Sequence, residues 1–345
     1  MPTFGQPGVL VMGTGPWEIN SFDPTRGIEL SANSHCWGGK VPIKHISVRF
    51  FSDETNMALA LRSGELDLVP QVEDARSFAT TSGARLTSVP SCQTGWFSMP
   101  TQTAPWSDVH IRRAVAYALD RPDIITVTGF PAVPTYTLIA PSQLGTLGSS
   151  AQVNSALRSL PSYPFSLAMA RREMAESAYP HGFSMVLDTF NYGSFINVNQ
   201  VIAAELKKLG INAQIKNIGQ SAWFAVASGP DDKRPPIYST TGACTPDPSF
   251  YDTFLGSSNL KPGGFNVADY APPAVDSLIA AGLATADPAK RLTIYTSLLQ
   301  RLATDVPYVP LYLQDVTFAS TKFTWPAFSG YWRDGVWALG LRPVG

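Results

Sequence analysis

Ile46, Val48 and Phe50 alternate with Ser47 and Arg49, the period of two expected of a half-buried strand. Asp53 then stands where a helix N-cap is wanted, and Met57, Leu59, Ala60 and Leu61 supply apolar helical positions before Gly64. Past the glycine, Leu66, Leu68 and Val69 lie among Glu65 and Asp67, which predicts another strand. Residues 44–70 therefore read as one α/β unit.

The same alternation of periods recurs downstream. Ser107 or Asp108 can start a helix that carries Ile111, Val115, Ala118 and Leu119 on one face, and Arg121-Pro122-Asp123 opens another. Residues 130–164 are rich in Pro, Ser, Thr and Gly and weakly periodic, which predicts a long surface loop. A helix through Leu167, Ala170, Met174 and Ala178 breaks at Pro180-His181-Gly182 and gives way to a strand through Met185, Leu187 and Thr189. Val198, Ile202, Leu206 and Leu209 form the next helix face, with Gly210 at its C′ position and a strand through Ile211, Ala213 and Ile215. Asp287 followed by Pro288 starts a helix bearing Leu292, Tyr295, Leu299 and Leu302, and residues 306–313 run apolar like a buried strand. The aromatic-rich tail from Phe323 reads as irregular cover over one lobe, and helices alternating with strands predict α/β lobes.

Composition narrows the function classes. At 345 residues the chain can hold two lobes. Its 25 basic and 26 acidic residues give a net charge of −1 with no basic cluster, which argues against nucleic acid or an anionic membrane surface as a partner. No apolar run has the length of a membrane-spanning helix, and residues 1–12 lack the pattern of a signal peptide. Cys36, Cys92 and Cys244 are isolated from one another, so neither a disulfide framework nor a zinc site is expected. His35, His45, His110 and His181 are scattered without ligand spacing, and no metal or cofactor is expected. Gly13 and Gly15 lack the third glycine of a dinucleotide loop, and no nucleophile stands in a catalytic motif, so no catalytic residue is assigned.

Several collinear segments carry a family resemblance: Gly13-Thr-Gly-Pro-Trp17, Cys36-Trp-Gly-Gly-Lys40, Ala60-Leu-Arg-Ser-Gly-Glu-Leu-Asp67, the stretch from Trp106 to Arg121, Glu205-Leu-Lys-Lys-Leu-Gly-Ile211, Asp247-Pro248 and Val306-Pro-Tyr-Val-Pro-Leu311. Each is common alone, but in this order the chain resembles the peptide/nickel-type (family 5) solute-binding proteins of ABC importers. The resemblance implies a two-lobed α/β fold of the periplasmic-binding-protein type (class II, cluster C) with a hinge between lobes. It implies lobe I over residues 1–103, lobe II inserted over 104–309 and a return to lobe I over 310–345, with crossings near 98–102 and 310–314. Only residues 1–12 precede the first motif, which implies a chain shortened at its amino end, with the first strands of lobe I missing.

The resemblance also implies a function: capture of a peptide or other small solute between the lobes by hinge closure, and delivery to an ABC permease. The implied receptor is a monomer, periplasmic or extracellular and membrane-tethered in full-length form. The alternative is a truncated member with an accessory or regulatory role outside transport. Trp96, Asn191, Tyr192, Trp223, Thr241, Cys244 and Asp247 fall in segments bordering the family's cleft and are the ligand-binding candidates. Cys244 occupies the position where dipeptide- and oligopeptide-binding members carry an aspartate for the ligand's amino terminus, and residues 188–193 offer no basic group. Asp247 is a candidate substitute, although Asp before Pro also starts turns.

Overall fold

A computed structural model describes residues 13–190, 192–229, 234–241, 245–261, 263–331 and 337–344. The elements run β1 (Trp17–Asp23), β2 (Gly27–Ala32), β3 (His45–Arg49), α1 (Glu54–Ser63), β4 (Leu68–Val72), α2 (Ala75–Ala79), β5 (Arg85–Ser98), α3 (Val109–Ala118) and α4 (Arg121–Thr126). They continue through β6 (Ala132–Pro134), α5 (Pro141–Leu144), α6 (Ser150–Arg158), α7 (Leu167–Glu176), β7 (Ser184–Thr189), α8 (Phe195–Lys207), β8 (Asn212–Asn217), α9 (Gln220–Ala227) and β9 (Ile237–Thr240). The last are α10 (Pro273–Ala284), α11 (Pro288–Asp305), β10 (Tyr308–Ser320), β11 (Phe323–Thr324) and β12 (Arg342–Pro343).

Helix starts follow the side-chain chemistry visible in the chain. Asp53 caps α1 by accepting from the Asn56 N–H, Asp108 caps α3 through His110, and Asp287 caps α11 through Lys290. Gly64 closes α1 in the left-handed conformation. The loop predicted over 130–164 is corrected: it contains β6, which pairs with β10 at Tyr312↔Pro134, and the helices α5 and α6. A Ser149–Gln152 capping box starts α6, and pairing to a distant strand stabilises β6, neither of which shows as hydrophobic periodicity. The unit predicted over 44–70 also divides, since β3 joins a β1-β2-β3 sheet while β4 lies in the sheet β4-β10-β5-β9. In contrast, β7 and β8 do pair in parallel across α8, as the βαβ pattern requires.

The two long strands β5 and β10 pair antiparallel from Tyr308↔Ser98 to Ser320↔Arg85, and the hydrophobic core changes along them. Near one end, Val69, Val72 and Ala319 pack with Leu61 and Phe78, and Val316 and Phe318 pack with Trp325 and Phe328 of the tail. Near the other, Trp96 and Tyr308 join Trp223, Tyr251 and Tyr295, while Phe97, Val309 and Leu311 join α3 and α8. The expected cover by the tail is thus packed on one end of the sheet, with β11 and β12 pairing two residues each.

Between these halves the ladder slips: Gln314 faces Gln93, but the next residue, Asp315, faces Pro90. Ser91 and Cys92 form the bulge, and the Ser91 hydroxyl donates to the Gln314 carbonyl at 2.6 Å. Cys92 is fully buried and disulfide-bonded, while Cys36 is free, which corrects the expectation of no disulfide. The fold makes this proximity. Cys92 Sγ lies 3.5 Å from the carbonyl oxygen of Thr245, 153 positions away, a closeness that cysteine spacing along the chain does not report.

Gly182, just before β7, and Gly210, in the turn between α8 and β8, stand back to back. Gly182 has φ +83°, and a Cβ there would fall 2.1 Å from the Gly210 carbonyl oxygen. Gly182→Ala is therefore expected to destabilise the protein by at least about 1–3 kcal/mol, measured by chemical denaturation; an unchanged midpoint would contradict this packing. Cys92→Ser, or dithiothreitol added to the wild type, is expected to cost about 2–4 kcal/mol in the same assay, and equal stability of oxidised and reduced protein would refute it.

Candidate interlobe binding site

At the slip between the two cores, two buried glutamines of β5 and β10 join a group of polar side chains. Gln93 of β5 and Gln314 of β10 are 2% and 1% exposed. The Gln314 side chain donates through Nε2 to Glu73 Oε2 at 3.0 Å, and Gln71 donates to Glu73 Oε1 at 2.6 Å and to Gln93 Oε1 at 3.4 Å. Gln314 Oε1 is buried and accepts no hydrogen bond. Glu73, half-buried, takes part in no ion pair among the described residues.

Glu73 is positioned by a second carboxylate beneath it. Glu54, buried in the first turn of α1, accepts the backbone N–H of Glu73 at 2.6 Å and of Asp74 at 2.7 Å, pinning the turn between β4 and α2. Burial pushes the Glu54 carboxyl up to about 7, the neighbouring Glu73 and Asp74 carboxylates add to the rise, and the two backbone donors oppose it. Asp74 caps α2 and pairs with Arg76 at 2.9 Å.

Two glycines from the loops after α4 and β7 pack against this turn. Gly193 faces Glu73 so closely that a Cβ there would lie 3.0 Å from the Glu73 Cβ. Gly129, at φ +83°, accepts the Ala75 N–H on its carbonyl at 2.9 Å, and a Cβ on it would fall 2.7 Å from Asp74 Oδ1. Tyr238 and Tyr312 bond to each other through their hydroxyls at the floor, with Ser194 beside Tyr238, and burial pushes both phenols well up. A carboxylate flanked by amides and phenols suits hydrogen bonding and charge recognition.

The sequence-selected candidates sit around this crevice in different states. Trp96, 2% exposed, packs edge-on against Tyr308 at 5.3 Å and Phe254 at 6.0 Å. Trp223 packs against Phe190 at 5.1 Å in the same cluster, and Tyr192 joins it by stacking on Phe190. Both indole N–H groups are buried without a hydrogen-bond partner. Thr241 continues the β5–β9 pairing: its hydroxyl accepts the Thr94 N–H at 3.0 Å and its own N–H reaches the Thr94 carbonyl at 3.1 Å. Asp247 starts a 3₁₀ turn by accepting from the Ser249 N–H and receives both Arg291 Nη groups at 2.9 Å, which hold its carboxyl well below the usual range. Asn191 and Cys244 lie outside the described residues. The structure therefore gathers Trp96, Tyr192 and Trp223, and turns Asp247 toward Arg291.

Glu73, Gln71, Gln93 and Gln314 were not selected from the sequence. The available signal was the polar pair Gln314-Asp315 that interrupts the apolar stretch after Leu311-Tyr312-Leu313, whose meaning depends on which strand it faces. The fold also joins residues that looked scattered: His110 Nδ1 lies 2.8 Å from Glu173 and 3.7 Å from Glu176, at the half-exposed contact of α3 with α7.

Comparison with known proteins gives the family and the fold. The family described as bacterial extracellular solute-binding proteins, family 5 Middle, matches residues 3–262. The chain belongs to this family. The glutathione-binding protein GsiB of Escherichia coli (strain K12) is 25% identical over 335 residues, covering 94% of this chain and 62% of GsiB. The periplasmic binding protein DppA from Helicobacter pylori, solved with the peptide STSA, superposes with a TM-score of 0.81 at 21% identity over 96% of this chain and 63% of DppA. The dipeptide binding protein from Pseudoalteromonas sp. SM9913, solved with Met-Leu, superposes with a TM-score of 0.79 at 17% identity over 96% and 64%. The fold is the two-lobed one of family 5 periplasmic binding proteins. The chain spans about three fifths of the curated relatives' length. The family binds solutes and is not a catalytic one.

Glu54 gives the turn a pH signature. Its folded proton is held to about pH 7 whereas an unfolded glutamate releases near 4.5, and buried Asp252, also pushed up to about 7 by burial, acts alike. Between those limits the folded state binds more protons, so stability is full below the unfolded value and is lost as pH rises through about 7. Denaturation midpoints are expected to fall between pH 5 and pH 8, and to fall less in Glu54→Gln and Asp252→Asn; parallel pH profiles for all three proteins would refute the assignment.

Proposed function

We propose that this chain is the gripping part of an importer's receptor, taking a peptide or comparably sized solute between its two halves and presenting it to an ABC permease. The observation carrying this reading is the polar crevice at Glu73, Gln93 and Gln314, placed where the core divides on strands common to both halves. Two strands crossing between cores make a natural hinge, and ligand contacts spanning both sides favour the closed arrangement.

The three-segment order of lobe I, inserted lobe II and return to lobe I belongs to this proposal. The change of hydrophobic cluster between Val89 and Trp96 favours a first boundary on β5, ahead of the 103/104 position, and the slip at Gln314–Asp315 favours the second. Trp96, Tyr192, Trp223 and Thr241 serve in this reading as the apolar wall and strand edge of lobe II. Asn191 and Cys244 remain assigned to the ligand-facing loops, while Asp247 acts through its turn. Monomeric action outside the cytoplasm, tethered to the membrane in the full-length form, follows from the same role. Among the described residues no helix is long and apolar enough to cross a membrane.

Relatives named for glutathione, the peptide STSA and Met-Leu define the first solutes to test. A solute present at about a hundred times its Kd stabilises its receptor by about 2.7 kcal/mol. Thermal melting of the protein with glutathione and with di- to tetrapeptides is expected to show an upward shift of several degrees for at least one of them, with saturable binding by calorimetry. No shift with any solute of that panel would overturn the reading.

A further inference from the structure

Resting on the reading of the chain as a solute receptor, we propose that Glu73 and Gln314 together bind a primary ammonium group of the solute. Glu73 carries no counter-cation among the described residues. Its two oxygens each accept one amide N–H, from Gln71 and Gln314, which leaves further lone-pair sites open. Beside it, Gln314 Oε1 is a buried acceptor with nothing donating to it. Two acceptor groups side by side, one of them charged, form a site that wants several donors and a positive charge at once.

An ammonium group has three donors and no acceptor, so it can reach both the Glu73 carboxylate and the Gln314 carbonyl oxygen. The surroundings favour such an occupant over a neutral one. A half-buried carboxylate without a cation is costly, and a compensating charge from the ligand recovers much of that cost. Glycine at 193 places no side chain over Glu73 from the opposite wall, while Glu54 fixes the Glu73 backbone from beneath. Glu73 is thus pinned through its backbone by Glu54, with only glycine backbone packed over it at position 193.

The assignment changes the expected solute. Cys244 stands where the resemblance implies an aspartate, and the anion nearby in sequence, Asp247, is already engaged by Arg291. Glu73 supplies one from the other side of the crevice, carried by the turn between β4 and α2. Solutes with a free amine, including peptides with an unblocked amino terminus, remain within range.

The test titrates the full chain, wild type and Glu73→Gln, with glutathione, Ala-Ala-Ala and the N-acetylated form of each. Acetylation removes the positive charge while leaving the rest of the solute intact. The wild type is expected to bind at least one free amine tenfold or more tightly than its acetylated partner. Glu73→Gln is expected to erase that ratio by weakening the amine form alone. Equal binding of amine and acetylated forms by the wild type, or equal weakening of both by the substitution, overturns the role of Glu73 and leaves solute capture standing. Binding of none of the four by the wild type overturns this inference together with the peptide-solute reading. Should Glu73→Gln fail to fold, the wild-type ratio of amine to acetylated form decides alone.

Discussion

The pairing of β5 with β10 is the constraint on which the rest depends. These strands run antiparallel through both hydrophobic cores, so each half is built on a different length of the same two-stranded ribbon. The two halves of the ribbon are therefore joined by backbone hydrogen bonds that persist on both sides of the slip at Gln314–Asp315, with a second shift between Pro310 and Tyr312. The bulge at Ser91–Cys92 twists the ribbon locally and gives the crossing a defined place to bend.

That same slip creates the chemistry. Continuous ladders bury apolar side chains on both faces, and a break lets polar residues stand where neither core can claim them. Gln93 and Gln314 sit opposite each other at the last regular pair before the break, and Glu73 reaches them from the neighbouring strand's end. The disulfide at Cys92 lies one residue away, so the recognition surface and the covalent reinforcement share one kink.

Local signals in the chain gave the helices well. Asp53, Asp108 and Asp287 cap where capping chemistry says they should, and the helix–Gly–strand pattern of residues 198–215 became a parallel unit. What depended on partners far along the chain was less legible. β6 is too short to show a period and exists because β10 pairs with it, and β3 and β4 look like one unit but join different sheets. At the site, aromatic residues could be chosen by type, whereas Glu73 and the glutamines matter only through register. A charged residue after a strand is ordinary until its neighbours are known. The family motifs conveyed the fold because they mark caps and turns, which are local, and conveyed little about ligand contacts, which are assembled across the crevice.

Gly129 carries a consequence for closure. Its carbonyl receives the Ala75 N–H, and its bare Cα faces the Asp74 carboxylate. The loop after α4 and the start of α2 thus meet through one backbone hydrogen bond, with the Asp74 and Arg76 side chains packed over the bare Cα. Any larger residue at 129 would act as a doorstop that raises the energy of the closed arrangement without touching the solute. Under the proposed receptor role, apparent affinity scales with the fraction of molecules able to close, and a methyl group there would weaken every solute by the same factor. Selectivity and grip strength would then be set on opposite sides of the crevice, one at Glu73 and the other at Gly129.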